Sequence, residues 1–327
     1  MSEKNTIAVL GGAGAMGRIT VKDLFETAPN FNVLIADYNE AAAKKLAASY
    51  KSKRVRATKV DVTNVAATAK VLKDCFAVLN SVQYQFNVKV MQACLKAQAH
   101  YLDLGGLFHV TREQLKLHSD FKKKNLLALL GIGEAPGIVN ILARSVADKM
   151  EEVREIHVYV GNVDLNPAAS SSGPLETSYS IQTILEESSK PAAIFTDGKF
   201  KFVEALSGEE TIRFPDPVGT QRPARTIHSE VATLPLSYKK KGIKECSFRI
   251  AFPPEMVERL KFLRSLGLLS EEAIQVGKAQ VVPQQVLIEL VKRLPKVERQ
   301  QAPSEYEVLH VVVRGKLAGR PLEARVD

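Results

Sequence analysis

The stretch IAVLGGAGAMGRIT, residues 7–20, runs an apolar segment into four glycines within seven positions. Bare backbone at that density, at the end of a strand, leaves amide groups open to a phosphate. Thr6 to Leu10 has the β-branched, apolar character of a strand buried on both faces of a parallel sheet. Gly12, Gly14 and Gly17 follow with the G-x-G-x-x-G spacing. In that pattern Gly12 permits a tight turn, Gly14 lets the backbone approach a pyrophosphate, and Gly17 lets the next helix pack close to the strand. Ala15 and Met16 then fall at the positive end of that helix, where amides hold phosphates. Along it Arg18, Lys22 and Glu26 form one polar stripe, with Ile19, Val21, Leu24 and Phe25 around the rest.

A second strand, Phe31 to Ala36, ends in Asp37, twenty residues past Gly17. A dinucleotide fingerprint places a carboxylate there to accept the hydroxyls of the adenosine ribose. The same carboxylate repels a ribose 2′-phosphate, and Tyr38 and Asn39 supply no guanidinium. NAD is therefore the expected cofactor, with NADP left open because Lys44 and Lys45 lie within reach on the next helix.

The chemistry needs a scaffold, and the rhythm of the first half supplies one. Arg54 to Val60, Phe76 to Leu79 and Leu126 to Leu130 read as further strands, alternating with helical stretches at Asn39–Tyr50, Phe86–Ala99 and Thr111–Lys124. This predicts a Rossmann domain, a doubly wound parallel sheet over residues 1–137. Ligands of such sheets collect at the carboxyl ends of the strands, which places Asp61 and Val62 near the adenine and Asn80, Ser81 and Val82 toward the nicotinamide. Asp61 reads equally as a helix N-cap.

HYLDLGG, residues 100–106, and GIGEAPGIVN, residues 131–140, put further glycines and polar groups just past apolar runs. Pro136 and Gly137 shape a turn before a helix from Ile138 to Met150. With VLGGAGAMGR, VKVMQACLKAQAHYLDLGG and GEAPGIVNILA in place, the chain resembles the saccharopine dehydrogenase family, whose members include lysine 6-dehydrogenase and carboxynorspermidine synthase. It resembles most the lysine 6-dehydrogenase-like branch. The likeness extends through YSIQTILEESSKPAAIFTDGKF and HSEVATLPLSY, and so covers nearly the whole chain. It implies a pyridine-nucleotide oxidoreductase that transfers hydride to or from a carbon–nitrogen bond of an amino-acid substrate of lysine or saccharopine type. Family members commonly return a final helix to the nucleotide domain, whereas this sequence stops at PLEARVD. Either the chain is shortened or its branch lacks that return.

Residues 138–327 are expected to form an α+β substrate and dimerisation domain, docked on the first with the active cleft between them. Val153 to Val160 alternates as a half-buried strand, Asp197-Gly198 marks a tight hairpin, and a second hairpin turns near Ala318-Gly319. Pro254–Leu266 and Pro283–Leu294 read as helices, on one face of antiparallel strands. Hydride transfer from an amine needs a proton acceptor, for which His228 is the candidate, with Glu230 orienting it or pairing with the substrate ammonium. Asp103, at a strand end, either pairs with an amino group or caps its loop. Tyr84, Gly105, Glu134, Pro136, Asn140 and Tyr179 are candidate pocket residues, and Arg222 or Arg225 a partner for a substrate carboxylate. Each of these assignments has a structural alternative in a cap, a core contact or a surface loop.

The 327-residue chain has a formal charge of +9, but its lysines and arginines fall in short, separate clusters without interleaved aromatic residues. That argues against nucleic acid as a partner. No run approaches the roughly 18 apolar residues of a membrane helix, and the opening residues lack a signal-peptide centre, so a cytoplasmic protein without a membrane partner is expected. Cys75, Cys94 and Cys246 are isolated in apolar runs, and the histidines show no metal-ligand spacing. A homodimer or higher homo-oligomer is expected. Two other functions stay open: a different dehydrogenase on the same fold, such as one acting on 2-hydroxy acids, and a catalytically silent, NAD-responsive regulatory protein. An aldehyde dehydrogenase is disfavoured, because no cysteine lies beside a base.

Overall fold

The computed structural model describes residues 4–166, 180–294 and 304–327. The chain divides into two compact units, Met1–Ile138 and Val139–Asp327. In the first, strands and helices alternate: β1 (Thr6–Leu10), α1 (Ala15–Thr27), β2 (Asn32–Asp37), α2 (Glu40–Ser49), β3 (Val55–Lys59), α3 (Val65–Val71), β4 (Cys75–Asn80), α4 (Asn87–Ala97), β5 (His100–Asp103), α5 (Phe108–Leu115), α6 (His118–Lys123) and β6 (Ala128–Leu129). The strands order as β3-β2-β1-β4-β5-β6, every neighbouring pair parallel. This is the doubly wound Rossmann order, with its switch point between β1 and β4.

Both faces of the sheet are covered, which explains the unbroken apolar runs. Ala8 and Leu10 of β1 join Val78, Met91, Cys94 and Tyr101 on one side. Val9 joins Val21, Val33, Ile35 and Ala43 on the other. Within α1 only Gly17 and Val21 are buried, and Ile19, expected among the apolar positions, is exposed. The single helix expected at Thr111–Lys124 is two, α5 and α6, because Lys116 and Leu117 turn the chain through bonds to carbonyls three residues back.

The second unit contains α7 (Ile138–Ala147), β7 (Glu152–Asp164), α8 (Ile181–Ser189), β8 (Ala192–Thr196), β9 (Lys199–Val203), β10 (Ile212–Arg213), β11 (Thr220–Gln221), β12 (Ala224–Arg225), α9 (Glu230–Ser237), β13 (Glu245–Ile250), α10 (Pro254–Ser265), β14 (Ile274–Val276), β15 (Ala279–Val281), α11 (Pro283–Lys292), β16 (Glu305–Leu317) and β17 (Arg320–Val326). Its main sheet orders as β17-β16-β7-β13-β8-β9, with β12 also on β13. Both expected hairpins form: Asp197 and Gly198, like Ala318 and Gly319, take the positive φ that two-residue hairpin turns require. The sheet is mixed rather than antiparallel throughout, since β13 lies parallel to β7. The long intervening connection through α8 and α9 returns the chain to the same end of the sheet, as parallel pairing demands.

Candidate functional site

The glycine turn leaves open backbone at the start of α1 that could hold a phosphate. The residue with positive φ is Gly11, at +69°, one position before the Gly12 to which the turn is assigned from spacing; a Cβ there would lie 3.0 Å from Ser81 O and 3.1 Å from Val82 Cγ1. At Gly12 a Cβ would sit 2.9 Å from Val9 O, and at Gly17 it would sit 2.1 Å from Gly11 O. These two glycines therefore serve the packing of α1 on β1. Around Gly14 only Gly11 O comes near, at 3.1 Å, so that face of the loop is open. Gly14 caps α1 without a side-chain hydrogen bond, which leaves the first amides of the helix, those of Ala15, Met16 and Gly17, without a side-chain acceptor. Amides and dipole there suit an anion.

Asp37 stands beside that loop. Its Oδ2 accepts from Ala13 N at 3.0 Å and its Oδ1 from Asn39 N at 2.9 Å. Of the two readings for Asp61, the helix cap belongs to Asn64, which accepts from Ala67 N. Asp61 instead makes a turn, accepting from the Thr63 hydroxyl at 2.6 Å and the Thr63 amide at 2.9 Å. Those two hydrogen bonds hold its carboxyl below the usual range. Val62 is nearly buried. Asn80 and Ser81 end β4 across the switch point, and Asn80 Oδ1 and Ser81 Oγ are buried without a partner among the described residues. Orphaned acceptors beside an open glycine turn fit a dinucleotide.

Asp103 is the hub of a buried polar network. Oδ1 accepts from Gly105 N at 2.9 Å and Gly131 N at 2.7 Å. Oδ2 accepts from Gln114 Nε2 at 2.6 Å, the Tyr101 hydroxyl at 2.8 Å and Asn87 Nδ2 at 3.3 Å. Burial, and next to it the charge of Asp103, push the Tyr101 phenol well up. Asn87 also donates to Gly105 O at 3.2 Å and accepts from Asn80 Nδ2 at 2.8 Å. The carboxylate thus ties together the ends of β4, β5 and β6, with no open lone pair aimed at solvent, and it is 1% exposed. Gly105 and Gly131 take positive φ, and a Cβ on either would strike Pro136, at 2.4 Å and 2.8 Å. Tyr84 lies against Gly106, and Glu134 is exposed. Asn87, Tyr101 and Gln114, which carry this network, have no motif in the sequence to announce them.

In the second unit His228 and Glu230 come together as expected. His228 Nδ1 meets Glu230 Oε2, its Nε2 lies 3.7 Å from Glu187 Oε1, and its ring stacks on Phe248 of β13 at 3.9 Å. Burial acts to push the His228 pKa down; the two carboxylates outweigh it and raise the pKa. Glu230 is fully buried and its Oε1 has no partner among the described residues. The hydroxyls of Ser188, Thr226 and Ser229, on the same segments, are also buried and without partners among the described residues. Glu187, on α8, was invisible as a site residue, and its neighbour Glu186 is pushed up to about 7, first by burial, with Lys190 opposing and Glu271 adding to the rise. Arg222 is an exposed residue paired with Glu209 at 3.0 Å. Arg225 packs on Gly208, with Nε buried and without a partner among the described residues. Asn140 lies on α7, and Tyr179 falls outside the described residues. Among the described residues no helix is long and apolar enough to cross a membrane.

Residues 7–129 match the saccharopine dehydrogenase NADP binding domain. Carboxyaminopropylagmatine dehydrogenase from Synechocystis is 25% identical over 286 residues, covering 84% of this chain and 70% of that protein. Carboxynorspermidine synthase from Vibrio cholerae is 25% identical over 302 residues, again 84% of this chain and 70% of that one. Among solved structures, apo saccharopine dehydrogenase (L-Glu forming) from Saccharomyces cerevisiae aligns with a TM-score of 0.71 over 99% of this chain and 86% of that chain. At 18% identity this is a likeness of fold.

Proposed function

From the premise that the chain is a saccharopine dehydrogenase-like protein with an NAD(P)-binding first domain, we propose that it is an oxidoreductase acting on the carbon–nitrogen bond of an amine substrate. The observation that carries this reading is the open, uncapped turn at Gly14 with Asp37 bonded beside it, a cradle shaped for a dinucleotide diphosphate and its ribose. When bound, the nicotinamide supplies the hydride acceptor or donor.

His228 exchanges the proton. Glu230 and Glu187 raise its pKa and so favour the protonated ring, the form suited to protonating the amine nitrogen as the carbon is reduced. In the oxidative direction it receives the same proton, with Glu230 fixing the ring through Nδ1. The unpartnered Glu230 Oε1 and the neighbouring hydroxyls offer acceptors to an ammonium or amine. Asp103 acts as a positioning residue, setting the loop ends that carry Gly105 and Pro136. Arg225, with its unpartnered Nε, is a better partner for a substrate carboxylate than the ion-paired Arg222.

Two matched relatives are named for carboxyaminopropylagmatine and carboxynorspermidine, which widens the substrate class from lysine or saccharopine to carboxylated polyamines. The test follows nicotinamide absorbance with NAD, NADP and their reduced forms against lysine, saccharopine and carboxyalkyl polyamines. Turnover of one amine or imine is the expected result. Tight nucleotide binding with no turnover across the panel would overturn the enzymatic reading.

A further inference from the structure

The adenosine end of the first unit contains a conflict. Asp37 disfavours a 2′-phosphate, yet residues 7–129 match an NADP-binding domain. Lys44, one of the two lysines within reach by sequence, is held by Glu40 at 2.7 Å. Another cation is better placed. Lys59 closes β3 in register with Asp37, and Val60 N donates to Asp37 O at 3.0 Å, so the two strand ends are pinned side by side. Lys59 Nζ stands 5.5 Å from the centroid of the Tyr38 ring, a residue 71% exposed and directly after Asp37. Among the described residues Lys59 has no carboxylate at ion-pair distance; it acts on Glu40 and Asp61 only through longer-range attraction. Asp37, by contrast, already has both oxygens drawn onto the amides of Ala13 and Asn39, which offsets part of its charge.

We propose that Lys59, steadied on the face of Tyr38, is a cofactor-specificity residue that takes the 2′-phosphate of NADP, so that this site accepts the phosphorylated nucleotide despite Asp37. An ammonium with three donors and no competing carboxylate is a strong phosphate partner, and a cation resting on an exposed aromatic face retains its freedom to turn toward a ligand. The inference rests on the nucleotide-binding reading above and can fail separately from it.

Calorimetric titration of the full chain with NADH, NADPH and adenosine 2′,5′-bisphosphate tests it in three proteins: the parent, Lys59→Gln and Lys59→Arg. Gln keeps much of the stem and loses the charge, whereas Arg keeps the charge. Lys59→Gln is expected to weaken NADPH and the bisphosphate about tenfold, as for loss of one charge-assisted bond, with NADH changed less than about twofold and Lys59→Arg retaining the NADPH affinity. Equal losses for NADH and NADPH, an unchanged NADPH affinity in Lys59→Gln, or a parent that binds NADH but not NADPH would each overturn it. A parent that binds neither nucleotide would overturn the nucleotide reading as well.

Discussion

Replacing Asp103 by asparagine keeps the shape of the side chain and turns one acceptor into a donor. With the amide oxygen in the Oδ1 position, the bonds from Gly105 N and Gly131 N survive in weaker, neutral form. The new NH2 then faces the donors of Tyr101, Gln114 and Asn87. Tyr101 can rotate its hydroxyl, and Gln114 can turn its amide, because its Oε1 has no partner among the described residues. Asn87 cannot, since its Oδ1 already accepts from Asn80. One bond to a charged group is lost outright, worth about 1.5–3 kcal/mol, and two are weakened by about 0.5–1 kcal/mol each. The sum is about 2.5–5 kcal/mol, which in a domain of this size lowers the melting temperature by about 5–20 °C. Differential scanning calorimetry of Asp103→Asn reads this directly. A melting temperature within a degree or two of the parent, combined with lost turnover, would refute the argument and return Asp103 to the substrate.

Gly17→Ala places a methyl 2.1 Å from Gly11 O and 2.6 Å from Gly12 Cα, both backbone, so α1 must move away from the turn. The expected cost is about 1–3 kcal/mol with at least a tenfold loss of nucleotide affinity by calorimetry, and unchanged binding would contradict the packing role. Glu230→Gln removes the larger of the two charges that raise the His228 pKa, leaving burial to push it down. The basic limb of the pH–rate profile for the reductive direction is expected to move acidward, and an unmoved limb assigns the proton to another group. Glu186, raised from 4.5 to about 7, stabilises the fold when protonated; that contribution is whole below the ordinary glutamate range and is lost as pH climbs to about 7. Glu186→Gln should therefore reduce the acid-to-neutral fall in stability by about 3 kcal/mol in urea titrations, and parallel pH curves for parent and variant would refute this.

What was legible in the sequence was local. The glycine turn, Asp37 at the end of β2, and the two hairpins at Asp197-Gly198 and Ala318-Gly319 depend on backbone conformations that only a few residue types supply, so residue identity announces them. Helix α9 was hidden because Val231, Ala232, Leu234 and Pro235 are all buried, which leaves no polar stripe and puts a proline inside. Strand β13 was masked by Arg249, which is buried at 2% exposure and reads as surface; it is tolerated there by Glu210 at 2.5 Å and by Ser247 and Gly208 O. The Asp103 network was out of reach for a similar reason. Asn87, Tyr101 and Gln114 sit on three different elements and converge only through tertiary packing.

The margins of the mixed sheet carry one more consequence. Its outermost strand on one side, β17, bears Arg320, Pro321, Glu323 and Arg325 on an exposed ribbon, and the opposite border, β9, bears Lys199 and Lys201. A proline lacking its amide hydrogen, together with a row of like and unlike charges, frustrates lateral annealing of a foreign ribbon. Neither border of this sheet accordingly invites a foreign ribbon to extend it into one continuous pleated surface.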